Sequence, residues 1–129
     1  MNSNNQTIAL ETFKEDYKTD INGLVDLCFG LSVASGWHRN KVEFGTRIAL
    51  IHSEASEALE GHRKDLMDDH LPHRKMAEVE LADCVIRIFY LAGEMNFDLG
   101  GALIEKLIYN QNRPDHKIEN RLKDGGKKY

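Results

Sequence analysis

Read as a pattern of apolar and polar positions, the chain shows helical spacing wherever it shows order. Ile21, Leu24, Cys28 and Leu31 recur at three- and four-residue steps, so the periodicity predicts a helix from about Asp20 that ends before Gly36-Trp37. Residues 7–18 carry a weaker version of the pattern and predict a short additional helix. A second helix is expected from Asn40, whose side chain suits an N-cap, to Arg63, with Phe44, Ile48, Ile51, Ala55, Ala58 and Leu59 as its apolar stripe. Asp65 to His73 reads as a charged linker closed by Pro72. A third helix is expected from His73 to Glu94, and a fourth from an Asp98 cap to about Arg113, where Pro114 stops it. No alternation bounded by hairpin turns occurs, so the expected fold class is all-α. It is a bundle of four or five helices over about residues 20–113, followed by a polar, flexible tail over 115–129.

The third helix carries apolar groups almost all round: Met76, Val79, Leu81, Ala82, Val85, Ile86, Ile88, Phe89, Tyr90 and Leu91. Such a helix is expected to be buried, and few helices are available to cover it. The pattern therefore predicts completion of the bundle by further copies, as a homodimer or a homotetramer. Within that apolar surface Glu80, Asp83 and Arg87 share a strip only about 60° wide.

Composition narrows the class. With 129 residues, 41% hydrophobic and 29% charged, the chain reads as one soluble domain over 1–129 whose core needs neither disulfide nor structural metal. Seventeen Lys and Arg against twenty-one Asp and Glu give a net charge of −4, which argues against broad electrostatic contact with nucleic acid. No apolar run reaches the roughly 18 residues of a membrane span, and the polar start Met1-Asn2-Ser3-Asn4-Asn5-Gln6 lacks the pattern of a signal peptide. The expected location is cytoplasmic, with no membrane partner. Cys28 and Cys84 sit in apolar stretches and form no C-x-x-C pair, so a packed, reduced state is expected.

Carboxylates carry the candidate chemistry. Glu54 and Glu57, three residues apart, project on one side of the second helix, about 60° from one another. Glu60 extends the run but lies about 60° further from the apolar stripe, which predicts greater exposure. A lone E-x-x-E is usually a solvated helix face. That reading is weaker for Glu80 and Asp83, whose helix has no broad polar side. Arg87 can neutralise one acid, and the remaining negative charge asks for a divalent cation. Four oxygen donors without His or Cys favour Mg²⁺, with Mn²⁺ as a substitute, over Zn²⁺. On the fourth helix Lys106, Asn110 and Arg113 follow i, i+4, i+7 spacing and form a narrow stripe suited to phosphate. Taken alone, two cations near a helix C-terminus only complement its dipole.

Taken together, Glu54-x-x-Glu57, twenty-two intervening residues and Glu80-Leu81-Ala82-Asp83 resemble the MazG-like, all-α nucleotide pyrophosphohydrolase superfamily. The downstream Lys106-Leu107-Ile108-Tyr109-Asn110-Gln111-Asn112-Arg113 resembles that family's K-x-x-x-N-x-x-R segment, and the two motifs occur in the family's order over about residues 20–116. The resemblance implies hydrolysis of a nucleoside triphosphate to the monophosphate and pyrophosphate. It implies Glu54, Glu57, Glu80 and Asp83 as the catalytic Mg²⁺ ligands, with Lys106, Asn110 and Arg113 on the phosphate and nucleotide side. Trp37 precedes the acidic helix where related enzymes place aromatics against the base; a Trp plugging the end of the bundle is an equal alternative. A di-iron carboxylate bundle would need Glu-x-x-His, which this sequence lacks, and its six histidines show no zinc spacing. The non-enzymatic alternative is a helical interaction module that pairs its charged strip with a protein partner.

Overall fold

The computed structural model describes residues 3–129, and within them the chain is helical throughout. Its elements are α1 (Ser3–Thr12), α2 (Lys14–Ala34), α3 (Phe44–Arg63), α4 (Met76–Glu94), α5 (Leu99–Asn112) and, after a 3₁₀ turn at Pro114–His116, α6 (Ile118–Arg121). The all-α expectation holds, with six α-helices in place of four or five. Among the described residues the extended backbone pairs only at an isolated bridge between Met67 and Lys75. No helix among them is long and apolar enough to cross a membrane.

Two compact units emerge from the backbone contacts: Leu24–Phe97, and Met1–Gly23 with Asp98–Tyr129. In the Leu24–Phe97 unit, α3 and α4 pack along each other, and Ala58, Tyr90, Leu91 and Ala92 are buried. Their connection is a built turn rather than a loose linker. Asp68, only 7% exposed, accepts hydrogen bonds from the backbone N–H groups of His70 (2.9 Å) and Leu71 (2.8 Å). The Asp68 N–H donates to the Arg74 carbonyl and the Met76 N–H to the Leu66 carbonyl, both at 2.9 Å. This closed turn delays α4 to Met76, three residues after the expected start. It also sets the first turn of α4 against Gly61, where a Cβ would lie 2.7 Å from Met76 Cγ. The start of α3 also differs: Asn40 does not cap it, and Glu43 holds the N-cap position without a side-chain bond. Gly36, at φ +85°, opens a turn that carries the chain past Asn40 before helical geometry begins.

The apolar ring of α4 is not fully covered within the chain. Its last turn is buried, but Leu81, Val85 and Ile86 are 57%, 44% and 45% exposed. From α2 of the same unit, Phe29 packs onto Gly93, where a Cβ would come within 2.6 Å of Phe29 Cβ.

In the unit formed by Met1–Gly23 and Asp98–Tyr129, α2 begins at Lys14, before the expected Asp20. Glu15 and Asp16 in its first turn complement the helix dipole, so the polar stretch that weakened the apolar pattern is itself a start signal. Asp98 caps α5 as its sequence position predicts, accepting from the Gly101 N–H at 2.8 Å. Asn22 bridges to it, donating to Asp98 Oδ1 and accepting from the Gly100 N–H, each at 2.8 Å. The segment expected as a flexible tail is instead folded back through the 3₁₀ turn and α6. Asn120 donates to the Pro114 carbonyl (2.6 Å) and Arg121 to the Lys127 and Lys128 carbonyls.

Candidate metal centre and adjoining cavity

The E-x-x-E step of α3 and the neighbouring turn of α4 bring three carboxylates together. One oxygen each from Glu54, Glu57 and Glu80 lies within 4.8 Å of the others. Burial is graded across the cluster: Glu54 is 8% exposed, Glu80 is half-buried and Glu57 is exposed. Glu60 falls outside it, 2.6 Å from Lys64, and is half-buried, so the expected order of exposure between Glu57 and Glu60 is reversed. The long Lys64 side chain, one turn on, covers Glu60, which a helical wheel does not register.

Arg87 reaches across from α4 and donates from Nε to Glu54 Oε1 at 2.6 Å. Burial pushes the Glu54 carboxyl up, but hydrogen bonding from Arg87 and from Glu57 and Glu80, with the Arg87 charge, holds it below the usual value. Glu80 goes the other way. Burial, then hydrogen bonding to Glu54 and the negative charges of Glu57 and Glu54, push its carboxyl up to about 7. Asp83 is raised by burial and next by the Glu54 charge, against the pull of Arg87 and His70. Asp83 is not one of the three converging groups, but it lines the same cavity as Glu54.

Three carboxylates facing one guanidinium leave a local excess of negative charge, and burial together with that charge raises the Glu80 carboxyl. All donors in the cluster are carboxylate oxygens, and the exposed Glu57 leaves an approach from solvent, so the three residues could hold a metal ion.

Of the cluster, Glu54 lines a cavity of about 400 Å³, which Asp83 and Arg87 share with the aromatic and basic side chains of Trp37, Arg47 and Tyr90 and with Ser32. The Arg47 guanidinium stacks 4.5 Å over the Tyr90 ring, donates to the Tyr90 hydroxyl at 3.1 Å and pairs with Glu94 at 3.2 Å. His38 Nδ1 lies 3.1 Å from the same hydroxyl, and its ring meets Phe29 edge-on at 5.5 Å. Trp37 is 73% exposed at the cavity wall, which argues against the plug alternative. Arg47 did not enter the sequence pattern, and Tyr90 counted there only as one of the apolar groups round the third helix. The signal was there: Asp83, Arg87 and Tyr90 follow i, i+4, i+7 and so share one edge of α4.

Lys106 and Asn110 lie on α5 and Arg113 at its C-cap, in the unit formed by Met1–Gly23 and Asp98–Tyr129. Lys106 Nζ sits 4.7 Å and Arg113 Cζ 5.9 Å from the Tyr109 ring centroid, so the two cations flank one aromatic side chain. The Asn110 amide oxygen is buried without a hydrogen-bond partner. Arg113 is held in a two-pronged ion pair by Asp115, a partner that the helical spacing of the motif does not reveal. No protein-family model matches the chain, no curated protein matches it, and no solved structure matches it.

Proposed function

We propose that the chain is a magnesium-dependent nucleoside triphosphate pyrophosphohydrolase of the MazG-like kind, converting an NTP or dNTP to its monophosphate and pyrophosphate. The observation that carries this is the convergence of Glu54, Glu57 and Glu80 within 4.8 Å beside a cavity with an aromatic wall. Glu54, Glu57, Glu80 and Asp83 are the proposed ligands of Mg²⁺, for which Mn²⁺ can substitute. When bound, the ion supplies charge neutralisation for the phosphate oxygens and eases deprotonation of the attacking water. Arg87 keeps Glu54 ionised and oriented. Water attacks the α-phosphorus, its proton passes to a carboxylate of the cluster, and the bond from that phosphorus to the bridging oxygen breaks to release pyrophosphate. The exposed Trp37 ring offers a stacking face for the base. Lys106, Asn110 and Arg113 are assigned to the phosphates and the nucleotide on the strength of the motif they form.

The exposed Leu81, Val85 and Ile86 on α4 support a homodimer or homotetramer. The net charge of −4 supports a chain with no nucleic acid partner, and the cytoplasm is its proposed location. The test is a panel of canonical and modified NTPs and dNTPs with Mg²⁺, scored for monophosphate and pyrophosphate. Release of orthophosphate with a nucleoside diphosphate, or activity undiminished by EDTA, rejects the assignment. The alternative is the helical interaction module that pairs its charged strip with a protein partner. Absence of pyrophosphate release across the whole panel selects that reading.

A further inference from the structure

Three basic side chains converge on a single carboxylate in the segment after α5. Arg113 donates from Nε to Asp115 Oδ1 at 2.9 Å and from Nη2 to Oδ2 at 2.6 Å, so its fork holds both oxygens. Lys127 Nζ lies 3.9 Å and His116 Nε2 4.0 Å from the same Oδ2. The arrangement is fixed by the backbone: Arg121 donates to the carbonyls of Lys127 (3.1 Å) and Lys128 (2.8 Å), which brings Lys127 back to the start of the segment. A cavity of about 190 Å³ opens among Asp115, His116, Arg121 and Lys127.

One carboxylate carries a single negative charge, and Arg113 alone matches it. Lys127 therefore leaves a surplus positive charge facing the cavity, and His116 adds a donor. The guanidinium fork takes two oxygens of a phosphate in the same geometry in which it takes the two carboxylate oxygens. A phosphate group also brings the extra charge that the carboxylate lacks.

We propose that the Asp115 carboxylate is an internal stand-in for phosphate, and that Arg113, His116 and Lys127 form a subsite for the polyphosphate chain of a nucleotide, which displaces Asp115 from the fork. The choice of a nucleotide as the source of the phosphates rests on the function proposed above; the anion site itself does not. Asp115 acts as a competitor for Arg113. It keeps the guanidinium positioned in the free protein and lowers the apparent affinity for anions until one displaces it.

The experiment is calorimetric titration, without metal, of inorganic tripolyphosphate and of an α,β-imido nucleoside triphosphate into the unmutated chain, Asp115→Asn and Lys127→Ala. Asp115→Asn removes the competing charge at nearly constant size and is expected to bind both ligands about three- to tenfold more tightly, the range for releasing a part-exposed ion pair and removing one nearby like charge. Lys127→Ala is expected to bind both more weakly by a similar factor. A readout on the unmutated chain guards against a folding defect. The Arg113 hydrogen bond holds the Asp115 carboxyl below the usual value, so carbon NMR should show its titration move up when tripolyphosphate saturates the protein.

Unchanged or weaker binding of both ligands by Asp115→Asn with a native circular dichroism spectrum, or an Asp115 titration that tripolyphosphate does not move, overturns the subsite. A gain for tripolyphosphate alone overturns the nucleotide as its occupant. These measurements need no turnover. A chain that binds as expected but releases no pyrophosphate keeps the subsite and loses the hydrolase. One that releases pyrophosphate while Asp115→Asn is neutral loses the subsite alone.

Discussion

Replacing Arg87 by methionine removes the cation that pairs with Glu54 and leaves a carboxylate, 8% exposed, beside two others. Breaking a fully buried ion pair from one side costs about 3–5 kcal/mol. The Arg87 side chain is 40% exposed and that of Glu54 11%, so solvent screens part of the loss. About 1–2.5 kcal/mol is therefore expected for Arg87→Met in chelator at pH 8. Methionine retains most of the apolar stem, so the change reports charge rather than packing. Urea unfolding followed by circular dichroism should show a lower midpoint with an unchanged slope. Millimolar Mg²⁺ should recover most of the gap, because an ion that binds only the folded state supplies the missing positive charge. Adding Glu54→Gln to Arg87→Met should recover it without metal, as a double-mutant cycle on a coupled pair requires. Equal midpoints for Arg87→Met and the unmutated chain in chelator, or a gap that Mg²⁺ leaves unchanged, would refute the electrostatic account of the cluster.

Further outcomes follow from the same structure. Because the Glu80 carboxyl is pushed up to about 7 from an ordinary value of 4.5, its contribution to stability is full below about pH 4.5 and lost as pH rises through 7. Thermal unfolding in chelator should therefore show a falling midpoint from pH 5 to pH 8, reduced by Glu80→Gln and reversed by Mg²⁺. Gly100→Ala should cost about 1–3 kcal/mol, since its Cβ would run into the Lys18 carbonyl and break the Asn22 bond, whereas Gly45→Ala, which meets nothing within 4 Å, should be neutral or stabilising in the same urea titration. Trp37→Ala should leave stability within about 0.5 kcal/mol, because the ring is 73% exposed. In the unmutated chain nucleotide binding should quench the fluorescence of this single tryptophan; a titration without change would detach Trp37 from the base.

The convergence of Glu54, Glu57 and Glu80 was legible because a three-residue step fixes which carboxylates of α3 share a side, whereas Asp83, one step beyond Glu80 on α4, is not among the converging groups. Asp98 was legible for the same reason, as a cap acting three residues ahead. What stayed hidden depends on contacts between distant residues. Arg47 meets Tyr90 and Glu94 across two helices, and Lys127 returns to Asp115 only through the Arg121 bonds to the backbone. The Asp65–His73 segment looked like a solvated linker because its composition is charged. One of those charges, Asp68, is buried because two backbone N–H groups satisfy it. The apolar circumference of α4 predicted a buried helix, and the single chain buries only its last turn.

Turnover of a nucleoside triphosphate with Mg²⁺ in water enriched in heavy oxygen, with the products weighed by mass spectrometry, tests the central claim most directly. Attack at the α-phosphorus places one heavy oxygen in the nucleoside monophosphate and none in pyrophosphate, and Glu57→Gln and Asp83→Asn should abolish that labelled product while the fold survives. Label in pyrophosphate or orthophosphate instead, or a labelled monophosphate formed equally well by both variants, would contradict hydrolysis at the carboxylate cluster.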